Sequence, residues 1–261
     1  MPQSPIRLIA LGDVHGCIDA LDAVLGAIAP AADDQLVFLG DLVDQGRNTR
    51  EVLDRIVELQ GTCEVILIAG NHEEMMLAAR GDEQARRFWE SCGGVATLNS
   101  YRYGGSFRDV PDEHWALLDE CRPFYETDDL IFTHANYLPD AAMPDQPGHQ
   151  LRWALFDPAD MQPHCSGKPV TVGHTEQRAG EILDLGFAAC IDTACWQYGW
   201  LTALDRRSGR CWQASRWGIL RQPGEASHRE QLAEALRPVA VDGHSPSESG
   251  AANPAAASAE R

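Results

Sequence analysis

Six side chains of metal-ligand type each stand just after a short apolar run. Asp13 and His15 follow Ile6–Leu11, Asp41 follows Leu36–Leu39, and Asn71 follows Val65–Ala69. His134 follows Leu130–Thr133, and His174 follows Val170–Val172. Carboxylate, amide and imidazole donors together suit Mn, Fe or Zn better than Mg or Ca alone. One carboxylate can bind two ions, so Asp41 is the natural bridge. Ions held in this way acidify bound water and neutralise charge on a substrate. Four of the nine histidines (His15, His72, His134 and His174) fall in this setting beside Asp, Asn or Gly, which separate structural accidents do not explain.

The runs must be strands if the pattern is to bring these donors together. Helical spacing of apolar residues predicts helices over Cys17–Ile28 and Arg50–Leu59, which with the first three runs gives βαβαβ and a layered α/β fold. In such folds the carboxyl ends of the strands form the ligand crevice. Further helices are expected over Glu74–Arg80, Glu83–Glu90 and Glu113–Cys121, with breaks at Gly93-Gly94 and Gly104-Gly105. Residues 139–150 read as a polar, proline-containing loop. Three late strands are expected at Ala188–Ile191, Trp200–Leu204 and Cys211–Ala214, the last two joined by a turn at Ser208-Gly209. Trp196, Tyr198 and Trp200 read as core or rim packing ahead of lining a pocket, and His114, His149, His164, His228 and His244 as exposed. One catalytic domain is expected over residues 1–221. A tail over 222–261 is expected to hold a short helix and then Ala, Ser, Pro and Gly of disordered type.

The chain carries a formal net charge of −18, with 44% hydrophobic and 23% charged residues. That acidity argues against nucleic acid and anionic membranes as partners, because both need clustered Lys and Arg. The eight cysteines include no C-x-x-C pair, so zinc-ribbon spacing is absent and free, buried thiols are expected. The start lacks signal-peptide features and no apolar run is long enough to span a bilayer, so a cytoplasmic protein is expected.

Gly12-Asp-Val-His-Gly16, Gly40-Asp-Leu-Val-Asp44 and Gly70-Asn-His-Glu73 together resemble the three-part signature of the PPP-type Ser/Thr phosphatases, most closely their compact bacterial and phage members. Those belong to the calcineurin-like metallophosphoesterases. The likeness covers roughly residues 5–220, with spacings of 28 residues from Asp13 to Asp41 and 30 from Asp41 to Asn71. It implies an αββα sandwich, two mixed sheets flanked by helices. It implies one metal on Asp13, His15 and Asp41 and a second on Asp41, Asn71, His134 and His174, with Mn ahead of Fe or Zn. A hydroxide between them would attack phosphorus in line, His72 would protonate the leaving oxygen, and Asp44 would orient His72.

The family pattern has Asp-Arg-Gly after the second strand, and that Arg grips phosphate. Here the run is Asp44-Gln45-Gly46-Arg47. An amide does not replace a guanidinium fork at equal strength. Arg47 or Arg152 is left to bind the phosphate beside Gln45. The activity implied is phosphomonoester hydrolysis on phosphoproteins, Ser/Thr and also Tyr, or on small phosphorylated molecules. The alternative is hydrolysis of dinucleoside polyphosphates of the diadenosine tetraphosphate type. Hydrolases of that type usually lack the second Asp, so Asp44 favours the monoesterase. An alternative of another class is a weakly active protein that binds a phosphorylated ligand.

Overall fold

The computed structural model describes residues 7–222. All of the expected tail after Gln222, with His228 and His244, lies outside the described residues, as does Ile6. The chain opens β1 (Leu8–Leu11), α1 (Ile18–Ile28), β2 (Gln35–Phe38), α2 (Thr49–Gln60), β3 (Glu64–Leu67). Four helices follow: α3 (Asn71–Ala78), α4 (Glu83–Trp89), α5 (Val95–Tyr101) and α6 (Asp112–Asp119). The second half holds β4 (Phe124–Glu126), β5 (Ile131–Thr133), α7 (Gly148–Trp153), β6 (Val170–Val172), β7 (Leu183–Asp184), β8 (Ala188–Cys190), β9 (Trp200–Asp205) and β10 (Arg210–Ser215).

Two five-stranded sheets form, in the orders β10-β9-β1-β2-β3 and β4-β5-β6-β8-β7. Both are mixed: β1, β2 and β3 pair in parallel, as do β5, β6 and β8, while the remaining pairs are antiparallel. The alternation of strand side chains explains why the runs are apolar throughout rather than every second residue. Leu8, Ala10, Val37, Leu39 and Ile66 meet Leu130, Phe132 and Ile191 in a core between the sheets. Ile9, Leu11, Leu36 and Phe38 pack on the other side against Leu21, Val24, Val52, Leu53 and Ile56 of α1 and α2. Ile131, Val170, Val172 and Ala188 are covered by Tyr137, Phe156 and Leu151 of α7. The sandwich expected from the signature is therefore present, and the donors' strands run side by side.

The break expected at Gly93-Gly94 is present: Gly93 takes a left-handed φ of 115° that only glycine adopts freely, and the path kinks there between α4 and α5. Some expectations are corrected. The loop at 139–150 ends inside α7. β4 and β7 were not expected. His114 is fully buried, with Nδ1 2.8 Å from the Tyr101 hydroxyl and Nε2 3.0 Å from Asp54. His164 is buried too, 2.9 Å from the Ala141 carbonyl and 2.7 Å from the Ser166 hydroxyl. Both imidazoles spend their polar atoms on partners, which is how a histidine comes to sit in a core. All eight thiols are free, but Cys165 and Cys211 are exposed rather than buried. No helix among the described residues is long and apolar enough to cross a membrane.

Candidate metal centre

The six ligand-type residues converge at the carboxyl ends of the parallel strands. Asp41 stands at the middle. Two sets of donors share it, His15/Asp41/His72 and Asp41/His134/His174, with the candidate atoms in each set within 4.8 Å of one another. His15 Nε2 lies 3.4 Å from Asp41 Oδ2, and His134 Nε2 lies 3.4 Å from Asp41 Oδ1. Asn71 Oδ1 is 3.0 Å from His134 Nε2. The carboxylate oxygens thus face opposite sets, which is the geometry a bridge requires.

Neighbouring carbonyls orient the imidazoles. A carbonyl oxygen only accepts, so the ring nitrogen facing it carries the proton. His15 Nδ1 donates to Val43 O at 2.9 Å and His134 Nδ1 to Leu39 O at 2.8 Å, leaving each Nε2 lone pair toward Asp41. His174 is reversed: Nε2 donates to Trp153 O at 3.2 Å, which leaves Nδ1 as its ligand atom. Backbone strain collects here. His15, Asp41, Asp44, Gln45 and His174 all have φ between 43° and 71°. Left-handed φ is uncommon outside glycine and persists where the surrounding structure enforces it, as at sites that must aim a side chain.

Asp13 is placed differently from its expected set. Both of its oxygens lie 3.1 Å from the His174 amide, and it is not in either donor set. A Cβ on Gly173 would stand 2.1 Å from Asp13 Oδ1, so the glycine makes room for that carboxylate. Burial, with Asp192 and Asp41 beside it, pushes the Asp13 carboxyl well above its usual range.

The residues fit a pair of cations. Asp13, Asp41, Glu73 and Asp192 are all buried, and among the described residues no Lys or Arg forms an ion pair or hydrogen bond with any of them. Burial lifts the Glu73 and Asp192 carboxyls to about 7. Burial opposes ionisation of Asp41 as well, but the surrounding imidazoles outweigh it and hold that carboxyl below its usual range. Burial lowers His134 to about 4 and lowers His15 and His174 too, which keeps these rings neutral and ready to bind metal.

His72 and Asp44 form the expected pair, with Nδ1 2.7 Å from Asp44 Oδ2. Asp44 is fully buried and also accepts from Trp89 Nε1 at 2.8 Å and from the Thr97 hydroxyl at 2.7 Å. Burial pushes His72 down, but the Asp41 and Asp44 carboxylates outweigh it and raise the ring to about 9. His72 also stands within the donor set of His15 and Asp41, its Nε2 3.9 Å from Asp41 Oδ2.

The three substrate-binding candidates do not form a ready phosphate fork. Gln45 donates its amide to Cys92 O at 3.0 Å. Arg152 is tied through Nε to Glu74, which also accepts from Trp153 Nε1 at 3.2 Å. Arg47 is exposed and makes no ion pair or hydrogen bond among the described residues.

The sequence reading missed Glu73, Asp192, Trp89 and Thr97. Glu73 lies in the first turn of α3, and its carboxylate accepts from the amides of Asp41 and Leu42 at 2.8 Å, Gly70 at 2.9 Å and Val43 at 3.3 Å, pinning the turn that carries Asp41.

Residues 6–161 match the calcineurin-like phosphoesterase family. A symmetrical bis(5'-nucleosyl)-tetraphosphatase of Burkholderia pseudomallei is 32% identical over 157 residues, 58% of this chain and 50% of that enzyme. The enzyme of the same name from Burkholderia mallei is 32% identical over 154 residues, 56% of this chain and 49% of its own length. The chain spans about half the length of the curated relatives it matches. A solved structure of a proposed diadenosine tetraphosphatase superposes with a TM-score of 0.62 at 19% identity, covering 82% of this chain and 95% of that one. A Saccharomyces cerevisiae protein serine/threonine phosphatase superposes with a TM-score of 0.58 at 16% identity, covering 87% and 84%. Those two superpositions speak for the fold. The curated relatives carry the name of the alternative substrate class rather than the one that Asp44 favoured. Fold and family match agree, and the chain belongs to the calcineurin-like phosphoesterases.

Proposed function

We propose that this chain is a two-metal phosphohydrolase whose substrate class is a dinucleoside polyphosphate of the diadenosine tetraphosphate type. The observation supporting that substrate is the 32% identity to symmetrical bis(5'-nucleosyl)-tetraphosphatases over 157 residues. Asp13, His15, Asp41, Asn71, His134 and His174 would hold the ions, with Mn ahead of Fe or Zn as the family resemblance implies; the donor types suit all three. When bound, two such ions supply charge neutralisation for the phosphates and a water acidified enough to attack phosphorus.

The chain's own residues do the rest. Asp41 keeps the two donor sets in register. Asp44 fixes the tautomer of His72 and favours the charged form of the ring, in which Nε2 carries a proton. That proton is available to a leaving oxygen. Arg47 and Arg152 are the guanidinium groups proposed to meet the phosphates beside Gln45.

One observation favours a second reading. A nucleotide leaves as a stable anion and has little need of an acid, whereas an alkoxide needs one. The built Asp44–His72 pair therefore supports a phosphomonoesterase acting on phosphoserine or phosphothreonine, and also on phosphotyrosine. The test is a metal-by-substrate screen on protein stripped of metal and reloaded with Mn²⁺, Fe²⁺ or Zn²⁺. Diadenosine tetraphosphate cleaved to two ADP, with a higher kcat/KM than a phosphoserine peptide, upholds the proposal. The reverse order sinks it in favour of the monoesterase. Binding without turnover on either substrate would leave only a phosphoryl-ligand binding protein.

A further inference from the structure

β8 lies parallel to β6, and its carboxyl end opens on the same rim as His174. The segment that leaves it turns through Ala194, at a φ of 59°, and sets Trp196 beside His15, with ring centroids 6.5 Å apart and planes at 75°. The indole is held in place. Its Nε1 donates to Glu176 Oε1 at 3.0 Å, and Gln197 donates to the same oxygen at 2.7 Å. Glu176 itself stands two residues after His174. Arg216 donates to the Trp196 carbonyl. One part of the ring packs against the core, and the residue as a whole is half-buried.

This arrangement suits a binding wall. The only polar atom of the indole is already spent on Glu176, so what it can offer a ligand is its flat π surface. Apart from the indoles of Trp89 and Trp153, whose nitrogens are spent on Asp44 and Glu74, every other side chain named at this centre is polar or charged. A flat ring carried by a phosphorylated substrate gains by stacking there, and a sugar or an alkyl chain gains much less. We infer that Trp196 is a specificity-determining residue, binding the nucleobase or aryl group of a substrate whose phosphate lies at the metal centre. The inference rests on the proposed two-metal phosphohydrolysis and adds the group that the site selects.

The test uses the full chain loaded with Mn²⁺ and two substrate pairs. Diadenosine tetraphosphate is set against inorganic tripolyphosphate, and phenyl phosphate against glycerol 2-phosphate. Trp196→Ala is expected to raise KM for the ring-bearing member by about ten- to a hundred-fold, roughly 1.4–2.8 kcal/mol. The ring-bearing member should lose at least about ten times more than its partner, and Trp196→Phe should recover most of the loss. Equal losses on both members overturn the inference and make Trp196 a prop for His15. A second measurement needs no variant: on the unmodified chain, AMP should inhibit at least about ten times more tightly than ribose 5-phosphate. Equal inhibition overturns the inference even where Trp196→Ala fails to fold. The second pair separates this inference from the substrate proposal. Failure to cleave the dinucleotide defeats that proposal, whereas a phenyl preference that vanishes in Trp196→Ala still upholds the wall.

Discussion

Asparagine and alanine at position 44 should fail in different ways. Asp44 Oδ2 accepts from His72 Nδ1 and Trp89 Nε1, and Oδ1 accepts from the Thr97 hydroxyl. In Asp44→Asn the amide oxygen can keep both ring N–H donors. The amide nitrogen then faces Thr97 Oγ1, whose hydrogen can turn to Thr49 Oγ1, 3.2 Å away. Every bond can be re-made, so the expected cost in stability is small, about 1 kcal/mol. What is lost is charge. His72 stands at about 9 because Asp41 and Asp44 outweigh its burial, and removing one carboxylate lowers it. Each pKa unit corresponds to about 1.4 kcal/mol. Asp44→Ala instead strands Trp89 Nε1 and His72 Nδ1, both on buried residues. At about 1–3 kcal/mol per stranded donor, the cost is roughly 2–6 kcal/mol before any cavity is counted. Urea unfolding reads the first quantity. The alkaline limb of kcat against pH, on an alkyl phosphate, reads the second. Asp44→Asn should fold nearly as well as the parent, with its alkaline limb moved to lower pH. Equal destabilisation by the two variants, or an unmoved limb in Asp44→Asn, would refute this reasoning.

Asp41→Asn should lower the occupancy of both metal ions, because its two oxygens face separate donor sets; metal analysis showing the loss of one ion alone would remove the bridge. His72→Asn should slow alkyl phosphates more than phenolic ones, since phenolates depart without a proton. Equal losses on phosphoserine and p-nitrophenyl phosphate would argue against His72 as the acid. In the metal-free chain His72 stands at about 9, above its unfolded value of 6.5. A raised base contributes stability that is complete below the unfolded value and is lost as pH rises through the folded one. Between pH 7 and 9 the metal-free chain should therefore lose up to roughly 3 kcal/mol, and His72→Asn should flatten that slope. A parent curve as flat as the variant's would show that His72 is not held charged.

The ligand set was legible because one rule, a donor after an apolar strand, repeats along the chain. The same rule applied to the expected strand Ala188–Ile191 would have found Asp192, which follows it directly and sits with Asp13. Other omissions have no such signal. Trp89 and Thr97 reach Asp44 across 45 and 53 residues, and nothing local to either marks it as a partner of a carboxylate. β4 and β7, of three and two residues, are too short to show alternation. α7 buries only Leu151 among its six residues, so it carries no helical stripe to set it apart from the loop before it.

Substrate selection was the least legible, and the structure gives a physical reason. The position where family members carry a phosphate-gripping Arg holds Gln45, whose amide is turned to the Cys92 carbonyl. Arg152 is engaged with Glu74, and Arg47 is exposed. No preformed guanidinium fork is left at the centre, so under the proposed two-metal reading the ions would carry most of the phosphate charge. Ions neutralise a monoester, a phosphopeptide or a polyphosphate in much the same way, and so they discriminate poorly among them. Discrimination then passes to whatever flanks the phosphate. On one side that is a proton held by His72, which matters for an alkoxide leaving group. On the other it is the indole of Trp196, which matters for a ring. Asp44 alone could not decide between these from the sequence, because it serves only the first.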